Sequence, residues 1–518
     1  VQEHKPNRQL ELGREMLEQM KQRITEDPDQ AKHLPEDYED VYPLSKIQQS
    51  MVFYSRLRPE EPIYHDQFLY HFRMVSADRF AEALQQLTDK HPILRTTFDL
   101  THFEEEVQIV HPRIVPNLSA EDVSSLRREE QERAIRAHIE QDKQNVFRFD
   151  GEVLWRVRLF RLNTHNDYCL VFTFHHAILD GWSVASFQQE AMDIYQRLLQ
   201  GKPVETQALQ SSYKDYVAIN RLRESDEESR QYWIRELAGY TRNKLPFNYA
   251  GKKRAGGAAS KIYRGQLGGT LLESLERQAK RYGCTVKELC LSAHVYLLGI
   301  LTTEEEIVTG VVSHDRPALE DGEKVLGCFL NTVPLRMGVT GQVSKSELVN
   351  RTKQQLAQMK VHELFLADIT DAIGEVSGPG VNPIFDTIFN YNDFHVLEEM
   401  QPGQEMASET ASLNLEASEM TNTWFDLEVS QSPQELSMKI KYAPAYWDDR
   451  EIERAFAWYE RILEALCVEK TDLLSIEQLM TAGERQEIVY EKNRTDMPYA
   501  AEKTLHGLFE AQAEKTPD

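Results

Sequence analysis

The stretch from Tyr168 to Gly181 constrains this chain more than any other. Tyr168-Cys169-Leu170-Val171-Phe172-Thr173-Phe174 is apolar, β-branched and aromatic, and predicts a buried strand. His175-His176-Ala177-Ile178-Leu179-Asp180-Gly181 follows at once. Beyond it Phe187, Ala191, Ile194, Leu198 and Leu199 share one helical face, with Ser183 expected as the cap and Gly201 as the terminator. A strand therefore gives way to a helix across a loop carrying two imidazoles and a carboxylate, a place where a rigid scaffold commonly holds working side chains. Successive side chains at a strand end point to opposite faces, so only one of the two histidines is expected to face a substrate. A histidine can take a proton near neutral pH, or hold a nucleophile's N–H in line with a carbonyl, and acyl transfer fits that chemistry. Asp180 is expected to fix the loop by pairing with a distant cation, and Gly181 to allow a backbone shape that a bulkier residue resists. The plainer alternative is a core histidine pair with an aspartate capping the next helix.

The order HHxxxDG resembles the signature of the condensation domains of nonribosomal peptide synthetases, a family related to chloramphenicol acetyltransferase. Further segments resemble that family in the expected order. They are Tyr42-Pro43-Leu44-Ser45 with Gln48 and Met51, Lys90-His91-Pro92-Ile93-Leu94-Arg95-Thr96-Thr97-Phe98, and Tyr213-Lys214-Asp215-Tyr216. Tyr232-Trp233 with Leu237 and Gly239, Leu326-Gly327-Cys328-Phe329-Leu330-Asn331-Thr332, and Asn382-Pro383-Ile384-Phe385 complete the set. Three departures stand out. No Pro-Phe-Glu follows His362, Gly380-Val381 replaces the usual Ser-Arg, and Ile219 stands where a tryptophan is usual.

The resemblance implies an α/β fold of two chloramphenicol acetyltransferase-like lobes, a V-shaped pseudo-dimer with a central tunnel. It implies a linker helix at 1–36, an N-terminal lobe at 37–225 and a C-terminal lobe at 226–480. Asn493-Arg494-Thr495, Leu505-His506, Leu508-Phe509-Glu510 and Thr516-Pro517-Asp518 resemble the linker and start of an adenylation domain, placing that junction at 481–518. The implied reaction is attack of a downstream carrier-bound amine on an upstream carrier-bound aminoacyl or peptidyl thioester. His176 is then the catalytic residue, as general base or as the group that positions the amine. His175 orients the loop, Asp180 pairs with Arg316, and Trp182 and Asn331 line the tunnel. No metal and no bound cofactor are expected, since the substrates ride on the 4′-phosphopantetheine arms of partner carrier domains. The opening motif leans toward a D-configured donor. An epimerisation domain, an ester-forming variant and a non-catalytic docking module are the rival readings.

Composition narrows the rest. A chain of 518 residues, 41% hydrophobic and 28% charged, has a globular balance, and a net charge of −25 disfavours nucleic-acid binding. Five scattered cysteines without metal-ligand spacing suggest buried thiols in a reducing cytoplasm, and no apolar run approaches the length of a membrane span. No phosphate-binding loop, HExxH or GxSxG occurs. Leu12, Met16, Met20 and Ile24 are expected to form one face of an N-terminal helix over 9–24, and Asn243 to Gly257 an exposed linker. Leu267-Gly268-Gly269-Thr270 reads as a loop, and Asn390 to His395 equally as a strand or as the lining of a binding site.

Overall fold

The computed structural model describes residues 5–74, 76–163, 166–204, 207–223, 226–243, 245, 260–316, 318–375, 382–393, 423–432, 435–495 and 504–516. Two mixed sheets carry the architecture. The first has four strands in the order His65–Arg73, Asp167–His175, Trp155–Arg161, Leu118–Asp122. The second has six, in the order Leu330–Gly338, Glu306–His314, Thr387–Asp393, Phe425–Gln431, Leu436–Tyr442, Lys261–Leu267. The predicted apolar strand is the second strand of the first sheet. It is paired on both edges, which accounts for its unbroken apolar run in place of alternation.

Each sheet has its own core. Behind the six-stranded sheet lies the helix Val286–Thr302, capped by a reciprocal Thr285–Glu288 box and apolar on almost every side because it is buried on almost every side. The core of the first sheet is not built from the first half alone. Val325, Leu326, Cys328 and Phe329 pack into it beside Tyr213 and Tyr216. Among the described residues no single helix is long and apolar enough to cross a membrane, and all five cysteines are free thiols.

The N-terminal helix spans Lys5–Glu26 and lies against the body of the protein. Its packed face is Leu10, Leu17, Met20 and Ile24, while Leu12 and Met16 are 46% and 45% exposed. The predicted face was wrong for a geometric reason. A uniform four-residue step drifts around a 3.6-residue helix, whereas positions 10, 13, 17, 20 and 24 hold one stripe. Gly13 sits in that stripe, so close to Ala218 that a Cβ would lie 2.4 Å from the carbonyl oxygen. Arg14 adds an ion pair to Asp215 at 2.7 Å.

Asn243 is likewise not in an exposed linker. It is buried, accepts from the Val308 amide at 2.6 Å and donates to the Glu306 carbonyl at 2.7 Å, and Leu245 beside it is in the core. The remainder of that stretch, residue 244 and residues 246–257, lies outside the described residues. Gly268 and Gly269 form a strand-to-helix junction, with Gly268 capping Gly269–Tyr282. Asn390 is in a strand and also borders the cavity described below, while Phe394 and His395 lie outside the described residues.

Candidate active site

The two histidines do face opposite ways. His175 ends its strand opposite His65 and is buried. Its Nδ1 accepts from the Ala177 amide at 3.2 Å, so Nε2 carries the hydrogen and donates to Ser55 Oγ at 3.0 Å. Ser55 passes its own hydrogen to the Met51 carbonyl at 3.0 Å or that of Ile63 at 3.2 Å. The rings of Phe147 and Phe149 stand edge-on to the imidazole. Burial, with repulsion from His176 and His65 behind it, pushes the His175 pKa down to about 3, so the ring is neutral and structural.

His176 opens onto a cavity of about 620 Å³. Its backbone amide donates to the Tyr64 carbonyl at 2.8 Å, pinning the residue to the neighbouring strand. Its Nδ1 lies 2.7 Å from Asp66 Oδ2. A buried carboxylate accepts, so Nδ1 bears a hydrogen, and in the neutral ring Nε2 is the lone-pair nitrogen. Asp66 was missed in the sequence. It stands 110 residues upstream and reaches His176 only through the register of two antiparallel strands, in which it is paired with Phe174. No local motif carries that signal.

Asp180 does two jobs at once. It caps the helix Gly181–Leu199, its Oδ1 accepting from the Ser183 amide at 2.7 Å, so the cap is Asp180 and not Ser183. It is also 1% exposed and 3.5 Å from Arg316 Nη2. Arg316 donates to Ser183 Oγ at 3.0 Å and to the Gly322 carbonyl at 3.1 Å, and its guanidinium lies 4.1 Å from the centre of the Phe329 ring. Burial lowers the Arg316 pKa from its ordinary value, with Asp180 opposing that shift. The backbone of 327–329 closes the arrangement. The Gly327 carbonyl accepts from the Asp180 amide at 3.0 Å and from Ser183 Oγ at 2.8 Å, and the Phe329 amide donates to Asp180 Oδ2 at 3.1 Å. Gly327 is required there, since a Cβ would lie 2.3 Å from the Tyr213 ring.

Gly181 plays no such part. It is the first helical residue, and a Cβ on it would meet nothing within 4 Å, so the expected conformational role is absent. Trp182 does not border the cavity. Its Nε1 donates to the Glu323 carbonyl at 3.1 Å, tying the helix start to the loop beyond Arg316. Asn331 does border it, with Nδ2 donating to the Leu364 carbonyl at 2.9 Å. The cavity itself runs from the helix Lys46–Leu57 and the Asp66–His176 pair to the face of the six-stranded sheet. Among the described residues no cluster of three metal-ligating side chains is present.

The condensation-domain family model matches residues 38–489. This chain belongs to the condensation-domain family. It is 30% identical over 488 residues to a linear gramicidin synthase of Brevibacillus parabrevis, a match covering 93% of this chain and 9% of that protein. It is 25% identical over 520 residues to bacitracin synthase 1 of Bacillus licheniformis, covering 98% of this chain and 9% of that one. The chain thus spans about a tenth of the length of these curated relatives. Among solved structures, it is similar to holo-AB3403, a four-domain nonribosomal peptide synthetase bound to AMP and glycine. The TM-score is 0.72 at 18% identity, over 92% of this chain and 37% of that one. It is also similar to the first condensation domain of the calcium-dependent antibiotic synthetase bound to a substrate analogue, with TM-score 0.65 at 18% identity, over 83% of this chain and 98% of that one. The expected mixed α/β, two-lobed architecture is the fold these condensation-domain structures share.

Proposed function

We propose that this condensation domain forms a peptide bond between two carrier-tethered substrates. The amine of a downstream aminoacyl group attacks the carbonyl carbon of an upstream aminoacyl or peptidyl thioester. The C–N bond forms, the C–S bond breaks, the upstream pantetheine thiol leaves with a proton, and the chain passes to the downstream carrier. The observation that carries this reading is the Asp66–His176 pair at the wall of a 620 Å³ cavity. Asp66 sets the tautomer, so Nε2 of His176 offers a lone pair to the attacking amine, to accept its hydrogen bond or its proton. A thioester is already activated, so holding the reactants in line supplies much of the rate. Carrier domains on both sides, and an adenylation domain beginning within 481–518, are the partners this reading requires.

The test is single-turnover transfer between an upstream carrier bearing a labelled aminoacyl group and a downstream carrier bearing an amino acid, followed by intact-protein mass. The chain is expected to yield a dipeptidyl carrier, and His176→Ala to slow that transfer by about 100-fold or more with an unchanged melting curve. Full activity in His176→Ala would remove His176 from the mechanism. No product across a broad substrate set, with carriers still binding, would leave a docking role.

A further inference from the structure

The cavity floor is the face of the six-stranded sheet, and strand register sets its chemistry. Ile388, Asp426 and Lys441 form one cross-strand row, and Asn390, Glu428 and Lys439 form the next. Nearly every charged group bordering the cavity has a partner. Asp66 holds His176 at 2.7 Å, Glu428 holds Lys439 at 3.2 Å, and Asp371 meets Arg230 at 3.3 Å. Lys46 reaches Asp368 at 4.0 Å, the Asp426 carboxylate accepts from Thr423 Oγ1, and the exposed Glu375 lies near Tyr240, whose pKa burial and that carboxylate together raise.

Among the described residues Lys441 is the buried exception. Its side chain belongs to a residue only 5% exposed, it borders the cavity, and its ammonium has no hydrogen-bond partner among the described residues. Asp426 is its cross-strand neighbour but is turned to Thr423. The amide oxygen of Asn390, on the adjoining row, is likewise buried and unpartnered among the described residues. An ammonium withdrawn from water without a hydrogen-bond or ion-pair partner is strongly unfavourable on general grounds, so such a group persists where a ligand completes it.

We propose that Lys441 reads an anionic substrate group, and that one of the two condensed residues carries a side-chain carboxylate of the aspartyl or glutamyl type. The ammonium takes the carboxylate. Asn390, whose amide can turn to present its NH₂, gives it a second donor. This rests on the peptide-bond-forming reading, but it can be tested without turnover.

The probe is glutaryl-pantetheine, titrated calorimetrically into the full chain beside two neutral analogues of the same length, the terminal-amide form and pentanoyl-pantetheine. Glutaryl-pantetheine is expected to bind roughly ten- to hundredfold more tightly than either, and Lys441→Met is expected to erase that margin. The variant should melt no lower than the parent, because it removes an unpaired buried charge. Equal binding of the three probes, no binding of any, or a margin that survives in Lys441→Met would overturn the proposal. A melting temperature that drops sharply in Lys441→Met would also overturn it, by showing that the ammonium is structurally paired. In the transfer assay, product without preference for an acidic residue at either carrier defeats this inference alone. Absence of all product defeats the function proposed above and leaves the binding result standing.

Discussion

The loop around Asp180 and the cavity beside His176 meet at one motif and treat polar groups in opposite ways. At the Asp180 end both carboxylate oxygens are engaged, by Ser183, Arg316 and the Phe329 amide. At the His176 end, Asp66 Oδ1, Asn390 Oδ1 and the Lys441 ammonium are buried and unpartnered among the described residues. Satisfied buried networks rigidify, and unsatisfied ones are unfavourable unless something completes them. The first region is a fastening between the two halves, and the second is the proposed seat of a ligand.

The contrast breaks hardest at the fastening. Arg316→Met leaves Asp180 buried without its cation and is expected to cost about 3–5 kcal/mol, read as a fall in urea midpoint. The double variant Asp180→Asn with Arg316→Met should recover part of that loss, because it removes both charges. If the single variant unfolds like the parent, the pair is not a fastening. On the cavity side, Asp66→Asn is expected to lower the transfer rate on the order of 100-fold with little change in KM or melting temperature. An asparagine can donate to Nδ1 and favour the wrong tautomer. A stability loss without a rate loss would reassign Asp66 to the fold.

Smaller effects sharpen the same line. Gly327→Ala drives a methyl into Tyr213 and is expected to cost about 1–3 kcal/mol, whereas Gly181→Ala should leave the midpoint within roughly 0.5 kcal/mol of the parent. Equal effects at the two glycines would contradict the packing described here. A pH effect follows from the two buried histidines. His175 and His294 are both buried neutral with pKa values pushed down to about 3, against about 6.5 when unfolded. The unfolded chain therefore binds more protons between those values. The contribution is complete above about pH 6.5 and is lost as pH falls toward 3. Urea midpoints from pH 7.5 downward should decline, and decline less steeply in His175→Gln.

Local chemistry was legible in the sequence, and cross-chain register was not. The apolar run, the turn and the amphipathic helix after it marked the strand–helix junction, and alternation separated His175 from His176. Arg316 was reachable through family resemblance. Asp66 and Lys441 were not, because each enters the cavity through strand pairing that no sequence window spans. The motif position of Trp182 carries no sign that its indole turns to the Glu323 carbonyl. The N-terminal stripe failed for a related reason. Two apolar stripes share Met20 and Ile24, and a glycine chose between them.

That glycine bears on where such a unit can be cut. The family match begins at residue 38, yet the helix before it puts Leu17 into the first core and Met20 and Ile24 against Val41, Val107 and Ile109. A chimera joined at the family boundary would strip an apolar surface bare and leave Asp215 without Arg14. A joint upstream of residue 5 keeps the helix with the body it covers, and is the better seam for exchanging this unit between proteins.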